Sequence, residues 1–292
     1  MKIVGLMLAR NEEWVIGTSL RAALLWCDEV VVLDHASTDA TPRIVTAVAK
    51  ESGGRVHSLH RPDVGVWEEM AHRQATLDEG RRVGGTHFAI VDADEVLSAN
   101  LIPVIRACYD DLMPGDLLEL PMVPCWRSCF GHRVDDCVWT NCSWTHGFAD
   151  DLLMGWRPVE GYHYHHRAPI GAGPAHRPLP IGTMENGGVL HLQFAPWDRL
   201  TAKHAWYKMV ETVRYPGRRT AAELNHMYGK ALNERGLRTK PCVASWWGGY
   251  PEDVIAPLLE PGGAPWQVDE CRRMMREHGA HAFDGLDLFG VV

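Results

Sequence analysis

Thr86-His87-Phe88-Ala89-Ile90-Val91-Asp92-Ala93-Asp94-Glu95 is the stretch that decides how this chain is read. An apolar run ends abruptly in three carboxylates within four residues. Taken as a buried strand, the run predicts that Asp92 and Asp94 share one face, because side chains repeat every second residue along a strand. Two carboxylates on one face repel unless something positive lies between them. Hard oxygen ligands suit Mg²⁺ or Mn²⁺, so a divalent cation carrying a diphosphate fits the pair. The plainer alternative is that one Asp caps the next helix while the other is merely exposed.

Upstream, strand-like and helix-like segments alternate. Residues 3–9 are apolar, and residues 12–26 place Trp14, Ile16, Leu20 and Leu24 at helical spacing behind Glu12 and Glu13, which suit the positive end of a helix dipole. Residues 30–33 are a β-branched strand that stops at Asp34. Ser37-Thr38-Asp39-Ala40-Thr41-Pro42 then offers cap residues and a proline for a helix that reaches Glu51 and ends at Gly53-Gly54. Residues 55–59 read as a third strand, 68–82 as a third helix and 86–91 as a fourth strand.

This alternation predicts an α/β fold with a mostly parallel sheet covered on both faces. In such sheets ligands gather at the carboxyl ends of the strands. Three of those ends carry polar groups: Arg10-Asn11-Glu12, Asp34, and Asp92-Ala93-Asp94. No G-x-G-x-x-G follows the first strand and no G-x-x-x-x-G-K-[ST] occurs, which speaks against dinucleotide-binding and P-loop enzymes.

Beyond residue 120 the pattern weakens. Residues 116–123 suggest another strand, and residues 124–190, rich in Trp, His, Gly and Pro, suit irregular site-forming loops. Residues 197–213, 220–235 and 265–278 read as helices. The net charge of −8 argues against nonspecific nucleic-acid binding, yet residues 199–240 carry ten Lys/Arg against Glu211, Glu223 and Glu234, a net +7. That segment is a solvated helical surface or a patch facing an anionic acceptor or diphosphate. Cys125, Cys129, Cys137 and Cys142 do not have the spacing of common zinc knuckles and read as reduced thiols, with a structural Zn²⁺ as the other reading. Residues 2–9 are too short for a membrane span and read as a strand rather than a signal peptide. No other run approaches membrane length, so the expectation is a soluble, cytoplasmic protein.

Taken together these motifs resemble glycosyltransferase family 2, on the GT-A nucleotide-sugar fold. Ala9-Arg10-Asn11-Glu12-Glu13 resembles the first-strand signature, residues 32–41 resemble the second-strand D-x-x-S-x-D-x-T, and Asp92-Ala93-Asp94-Glu95 matches the metal-binding D-x-D. The likeness is good over residues 1–100 and loose beyond. It implies a nucleotide-sugar-binding α/β half (1–120) and an acceptor-binding, partly helical half (121–292), packed as one continuous domain.

The resemblance also implies a nucleotide site at Ala9, Arg10, Asn11, Glu12, Asp34, Arg73, Asp92 and Ala93. Mn²⁺ or Mg²⁺ would sit on Asp94, with Asp92 and with His191 from Val189-Leu190-His191-Leu192. A second acid often follows Asp34 in the family; here it is His35, which leaves the preference for a UDP-linked donor less firmly fixed. The base position falls on Asp151 in Ala149-Asp150-Asp151, with Asp150 beside it. A helix N-terminus at the same place would explain these acids equally well. His166, in the cluster His163, His165 and His166, is the other base candidate.

The activity implied is metal-dependent, inverting transfer of a sugar from a nucleotide-diphosphate sugar. The acceptor stays open among small molecules, proteins, glycans and modified nucleic acid, as does the oligomeric state. A donor-binding protein without catalysis is one alternative class. A zinc hydrolase built on the His-rich middle is another, although His163, His165, His166 and His176 lack an H-E-x-x-H arrangement.

Overall fold

The computed structural model describes residues 1–62, 67–140, 142–157, 167–171, 176–178, 183–259 and 264–292, with the backbone alone for 176–178. Four parallel strands lie at one side of the main sheet: β1 (Ile3–Ala9), β2 (Glu29–His35), β3 (Val56–Arg61) and β4 (His87–Ile90). β1 sits between β2 and β4, with Ala9 opposite Asp34 and Leu6 opposite Ile90. Every residue of β1 is buried, as a central parallel strand requires.

Period-two alternation sorts the strand side chains into two layers. Ile3, Met7, Val30 and Val32 pack with Ile16 and Leu20 of α1 (Ile16–Ala23), Val45 and Val48 of α2 (Thr41–Glu51) and Ile105 of α4 (Ile102–Asp110). Val4, Leu6 and Val31 point the other way, toward Met70 and Leu77 of α3 (Glu69–Arg82). The expected α/β architecture of GT-A type, a mostly parallel sheet with helices on both faces, is what forms.

Past β4 the sheet changes direction. β8 (Ser143–Ala149) runs antiparallel to β4, with Phe88 opposite Phe148, and β6 (Leu117–Pro124) runs antiparallel to β8. Next come β10 (Val189–His191) and β5 (Glu95–Leu97), so the order is β3-β2-β1-β4-β8-β6-β10-β5. β9 (His176–Pro178) pairs with β6.

The expected helix over residues 12–26 is shorter than its apolar pattern. Asn11 takes a left-handed backbone (φ 55°), and Glu12 N–H donates to Thr41 Oγ1 at 2.8 Å while Glu13 N–H donates to Asp39 Oδ2 at 3.1 Å. These donors serve a loop, so regular helix starts only at Ile16. α2 begins where the proline requires, with Pro42 in its first turn, and ends into left-handed Gly53 and Gly54.

The chain divides into two compact units. The first comprises residues 1–123, 141–191 and 242–262 and holds the main sheet. It includes α7 (Ala244–Trp247) and α8 (Glu252–Ile255); Thr18 Oγ1 of α1 donates to Val254 O at 2.7 Å. The second comprises residues 124–140, 192–241 and 263–292. In it, Ala205 and Met209 of α5 (Trp197–Arg214) pack with Cys271 and Met274 of α9 (Gln267–His278). α6 (Ala221–Gly229) opens on a capping box between Thr220 and Glu223, and β7 (Gly131–Arg133) pairs with β11 (Thr239–Pro241). The expected helix over 220–235 leaves α-geometry at Gly229 and closes as a 3₁₀ turn, Lys230–Leu232. Among the described residues no helix is long and apolar enough to cross a membrane.

Candidate functional site

β4 ends at Ile90, before the acids begin. Asp92 to Glu95 form a turn closed by Glu95 N–H to Asp92 O at 3.0 Å, so period-two alternation does not govern them. The turn is pinned from α1 as well: Ser19 Oγ donates to Ala93 O at 2.6 Å. The two aspartates consequently face different groups.

Asp92 meets two guanidinium groups. Arg73 Nη2 lies 3.1 Å from Oδ1, and Arg167 Nη1 lies 2.9 Å from Oδ2. Arg73 is itself anchored on its own helix by Glu69, through Nε to Oε1 at 2.9 Å. Burial would raise the Asp92 carboxyl, but Arg73 and Arg167 override it and hold the group well below the usual carboxylate range. Glu95, buried beside it, takes a two-pronged fork from Arg167 at 2.8 and 2.6 Å. Burial pushes Glu95 upward and Arg167 pulls it back, with Asp92 and Asp94 adding to the rise.

Asp94 faces an imidazole instead. His191 Nε2 is 3.8 Å from Asp94 Oδ1, and both side chains are nearly buried. The register explains the encounter: β10 pairs antiparallel with β5, and His191 falls opposite Glu95, next in sequence to Asp94. Two donors each about 2.1 Å from one ion can stand up to roughly 4.2 Å apart, so a carboxylate oxygen and an imidazole nitrogen at this separation fit a single divalent cation. Among the described residues no group of three His, Cys, Asp or Glu side chains forms a metal centre, and this holds for Cys125, Cys129, Cys137 and Cys142 as well.

The ends of β1 and β2 are joined to each other. Asn11 N–H donates to Ser37 Oγ at 2.8 Å, and Asn11 Oδ1 accepts from Thr38 N–H at 2.7 Å. Ala40 N–H donates to Glu13 Oε2 at 2.9 Å. Most of the second-strand motif (Ser37, Thr38, Asp39, Thr41) is therefore occupied in holding the loops together. Asp34 differs. It is buried, its Oδ2 lies 3.0 Å from His60 Nδ1, and its Oδ1 has no hydrogen-bond partner among the described residues. An orphaned buried carboxyl oxygen at a strand end is costly unless a ligand donor meets it. Ala9 is buried in register with it; Arg10 and Glu12, which follow β1, are partly buried, and Glu12 Oε2 accepts from Trp14 Nε1 at 2.8 Å. His35, one residue on and so on the α3 face of the sheet, packs its ring against His72 (4.7 Å) and Trp67 (5.4 Å).

Asp150 and Asp151 are not brought to this site. Asp150 N–H donates to Thr86 O at the start of β4, and Ala149 lies opposite His87. Six residues of extended chain separate Thr86 from Asp92, about 20 Å at 3.3 Å per residue. α3 gives the same answer: Arg73 reaches Asp92, whereas Arg81, eight residues or about 12 Å along the helix, forks onto Asp150 at 2.7 Å. Asp151 Oδ1 accepts from Leu153 N–H at 2.8 Å and Met154 N–H at 2.9 Å, holding a bend and not a helix start. Antiparallel β8 delivers its last residues, and Asp150 and Asp151 after them, to the end of the sheet opposite the Asp92–Glu95 turn. His163, His165 and His166 lie outside the described residues.

Arg167 escaped the sequence reading. It is buried at the centre of the carboxylates, yet its partners lie 22 to 77 residues away, and no local pattern announces such a contact. The crowding of polar residues over 161–167 was the sole cue.

No protein-family profile matches the chain, and no curated protein matches it. Among solved structures, one similar to it is glucosyl-3-phosphoglycerate synthase from Mycobacterium tuberculosis in complex with Mn²⁺, uridine diphosphate and glucosyl-3-phosphoglycerate. It is 29% identical over 32% of this chain and 34% of that one, with a TM-score of 0.24. Another structure of that synthase is 24% identical over 44% and 46% of the two chains, with a TM-score of 0.28. Mannose-1-phosphate geranyltransferase from Thermus thermophilus is 11% identical over 51% and 58%, with a TM-score of 0.33. The chain spans less than two thirds of the length of each.

Proposed function

We propose that this chain is a metal-dependent glycosyltransferase that moves a sugar from a nucleotide-diphosphate sugar, UDP-linked, to an acceptor with inversion. The observation that carries the reading is the meeting of Asp94, in the turn that follows β4, with His191 of β10 at 3.8 Å. Asp34, whose carboxyl Oδ1 has no hydrogen-bond partner among the described residues, stands one residue before the end of β2 in the same sheet. Asp94 and His191 would hold the cation, which when bound supplies Lewis-acid neutralisation of the departing diphosphate. Asp34 would accept from a base or ribose donor. Arg10, Asn11 and Glu12 would flank the nucleotide, and Asp92, kept ionised by Arg73 and Arg167, would face the ribose.

In the reaction an acceptor hydroxyl forms the new bond to the anomeric carbon while the bond to the diphosphate oxygen breaks. The hydroxyl proton must pass to a base. With Asp151 at the other end of β4, we assign that role to His166, the residue before Arg167 in the chain. His166→Ala is then expected to lower turnover by about 10² to 10⁴, while Asp151→Asn keeps turnover within about twofold. The reverse ranking in a steady-state assay would return the base to Asp151.

Donor binding is tested by thermal unfolding with UDP-, GDP- and dTDP-sugars, with and without Mn²⁺. At about 100 times Kd a ligand stabilises the fold by about 2.7 kcal/mol, a rise of roughly 5 °C for a chain of this size. The rise is expected with a UDP-sugar plus Mn²⁺. A melting temperature unmoved by every donor would sink the proposal.

A further inference from the structure

We infer that Arg167 is the positioning residue of the cation site: it fixes Asp92 and Glu95 as a rigid block and so holds Asp94 against His191. The inference rests on the functional reading above. A guanidinium carries five N–H donors, and all five are used. Nε donates to Thr145 O at 2.7 Å, and Nη2 to Ile90 O at 2.9 Å and Glu95 Oε2 at 2.6 Å. Nη1 donates to Glu95 Oε1 at 2.8 Å and Asp92 Oδ2 at 2.9 Å. With its donors committed to protein, Arg167 acts through its neighbours and not on a substrate.

Its two carbonyl partners belong to β4 and β8, so the sheet itself sets where the guanidinium lies. From that fixed point it reaches the residues on either side of the Ala93–Asp94 step. Remove it, and Asp92, Asp94 and Glu95 crowd within four residues, with Arg73 the guanidinium left on Asp92 among the described residues. Their mutual repulsion would open the turn and carry Asp94 away from His191. A lysine at this position offers a point charge with three donors and cannot span five acceptors in one plane.

Arg167→Met alone would leave Glu95 buried and unpaired, and the protein could fail to fold for that reason. The informative variant is the double replacement Arg167→Met with Glu95→Gln, which removes one charge of each sign and leaves Asp92 on Arg73. Arg167→Lys, which keeps the positive charge, is the second variant, and Glu95→Gln alone is the control. Mn²⁺ affinity is read directly from the paramagnetic resonance of the free ion, with the fold checked by thermal unfolding. Losing a group that orients a metal ligand typically costs 10- to 100-fold in affinity. At least a tenfold weakening is expected in the double variant and in Arg167→Lys, in each case a larger loss than Glu95→Gln alone produces. Wild-type Mn²⁺ affinity in either folded Arg167 variant overturns the assignment and leaves the transferase reading standing. Absence of Mn²⁺ binding in the wild type as well overturns both.

Discussion

Asp94→Ala is expected to lower sugar transfer by about 10³-fold while the melting temperature stays within a few degrees of wild type. In the proposed reaction a bound cation would contribute several kcal/mol by neutralising the leaving diphosphate, and about 4 kcal/mol corresponds to roughly three powers of ten in rate. The fold should tolerate the change because the arginine clamps that tie the turn to the sheet run through Asp92 and Glu95. Initial rates across a Mn²⁺ titration provide the measurement, paired with thermal unfolding. A variant that keeps its rate within tenfold at saturating Mn²⁺ would remove Asp94 from the metal site.

Gly188→Ala should be the most destabilising small change near the site, by about 3 kcal/mol, toward the upper end of the range for forcing atoms into a packed core. A Cβ at this position would stand 2.1 Å from Pro121 O and 3.0 Å from its carbonyl carbon, both backbone atoms of β6. Neither can swing aside as a side-chain tip could. Gly188 is also bonded on both sides to Ser98, donating to its Oγ at 3.0 Å and accepting its N–H at 2.8 Å, so the residue cannot retreat. Three residues on stands His191, and weakened Mn²⁺ binding should accompany the loss of stability. At 2 to 4 °C per kcal/mol the melting point falls by roughly 6 to 12 °C. A variant melting with the wild type would show that β6 and β10 are free to separate.

The parallel half of the sheet was legible because its signals are local. β-branched runs, caps, Pro42 and the Gly53-Gly54 stop each act within a few residues, and β1, β2, α2, α3 and β4 formed close to where they read. The strand ends were legible for the same reason. β8 was not: Ser-Trp-Thr-His-Gly-Phe-Ala has little alternation, and its burial comes from β4 and β6 on either side. That one omission had a cost in function, because the direction of β8 decides that Asp150 and Asp151 end at the far edge. The face shared by Asp92 and Asp94 failed for a different reason, since a strand's periodicity was extended past its last ladder pair. His191 could be named from a short apolar run, but its meeting with Asp94 depends on register between segments almost a hundred residues apart.

The bonds that tie Asn11 to Ser37 and Thr38, and Glu13 to Ala40, have a consequence for which residues here can change. The loop ties and the ring contacts are made by separate residues in this corner of the molecule. The ties use the backbone and the small polar side chains, whereas the aromatic cluster on the α3 face of the β2 end is built from His35, Trp67 and His72. Replacing those rings would change the α3 face of the strand end without unfastening the loops, so that surface is open to drift while the architecture around it stays put.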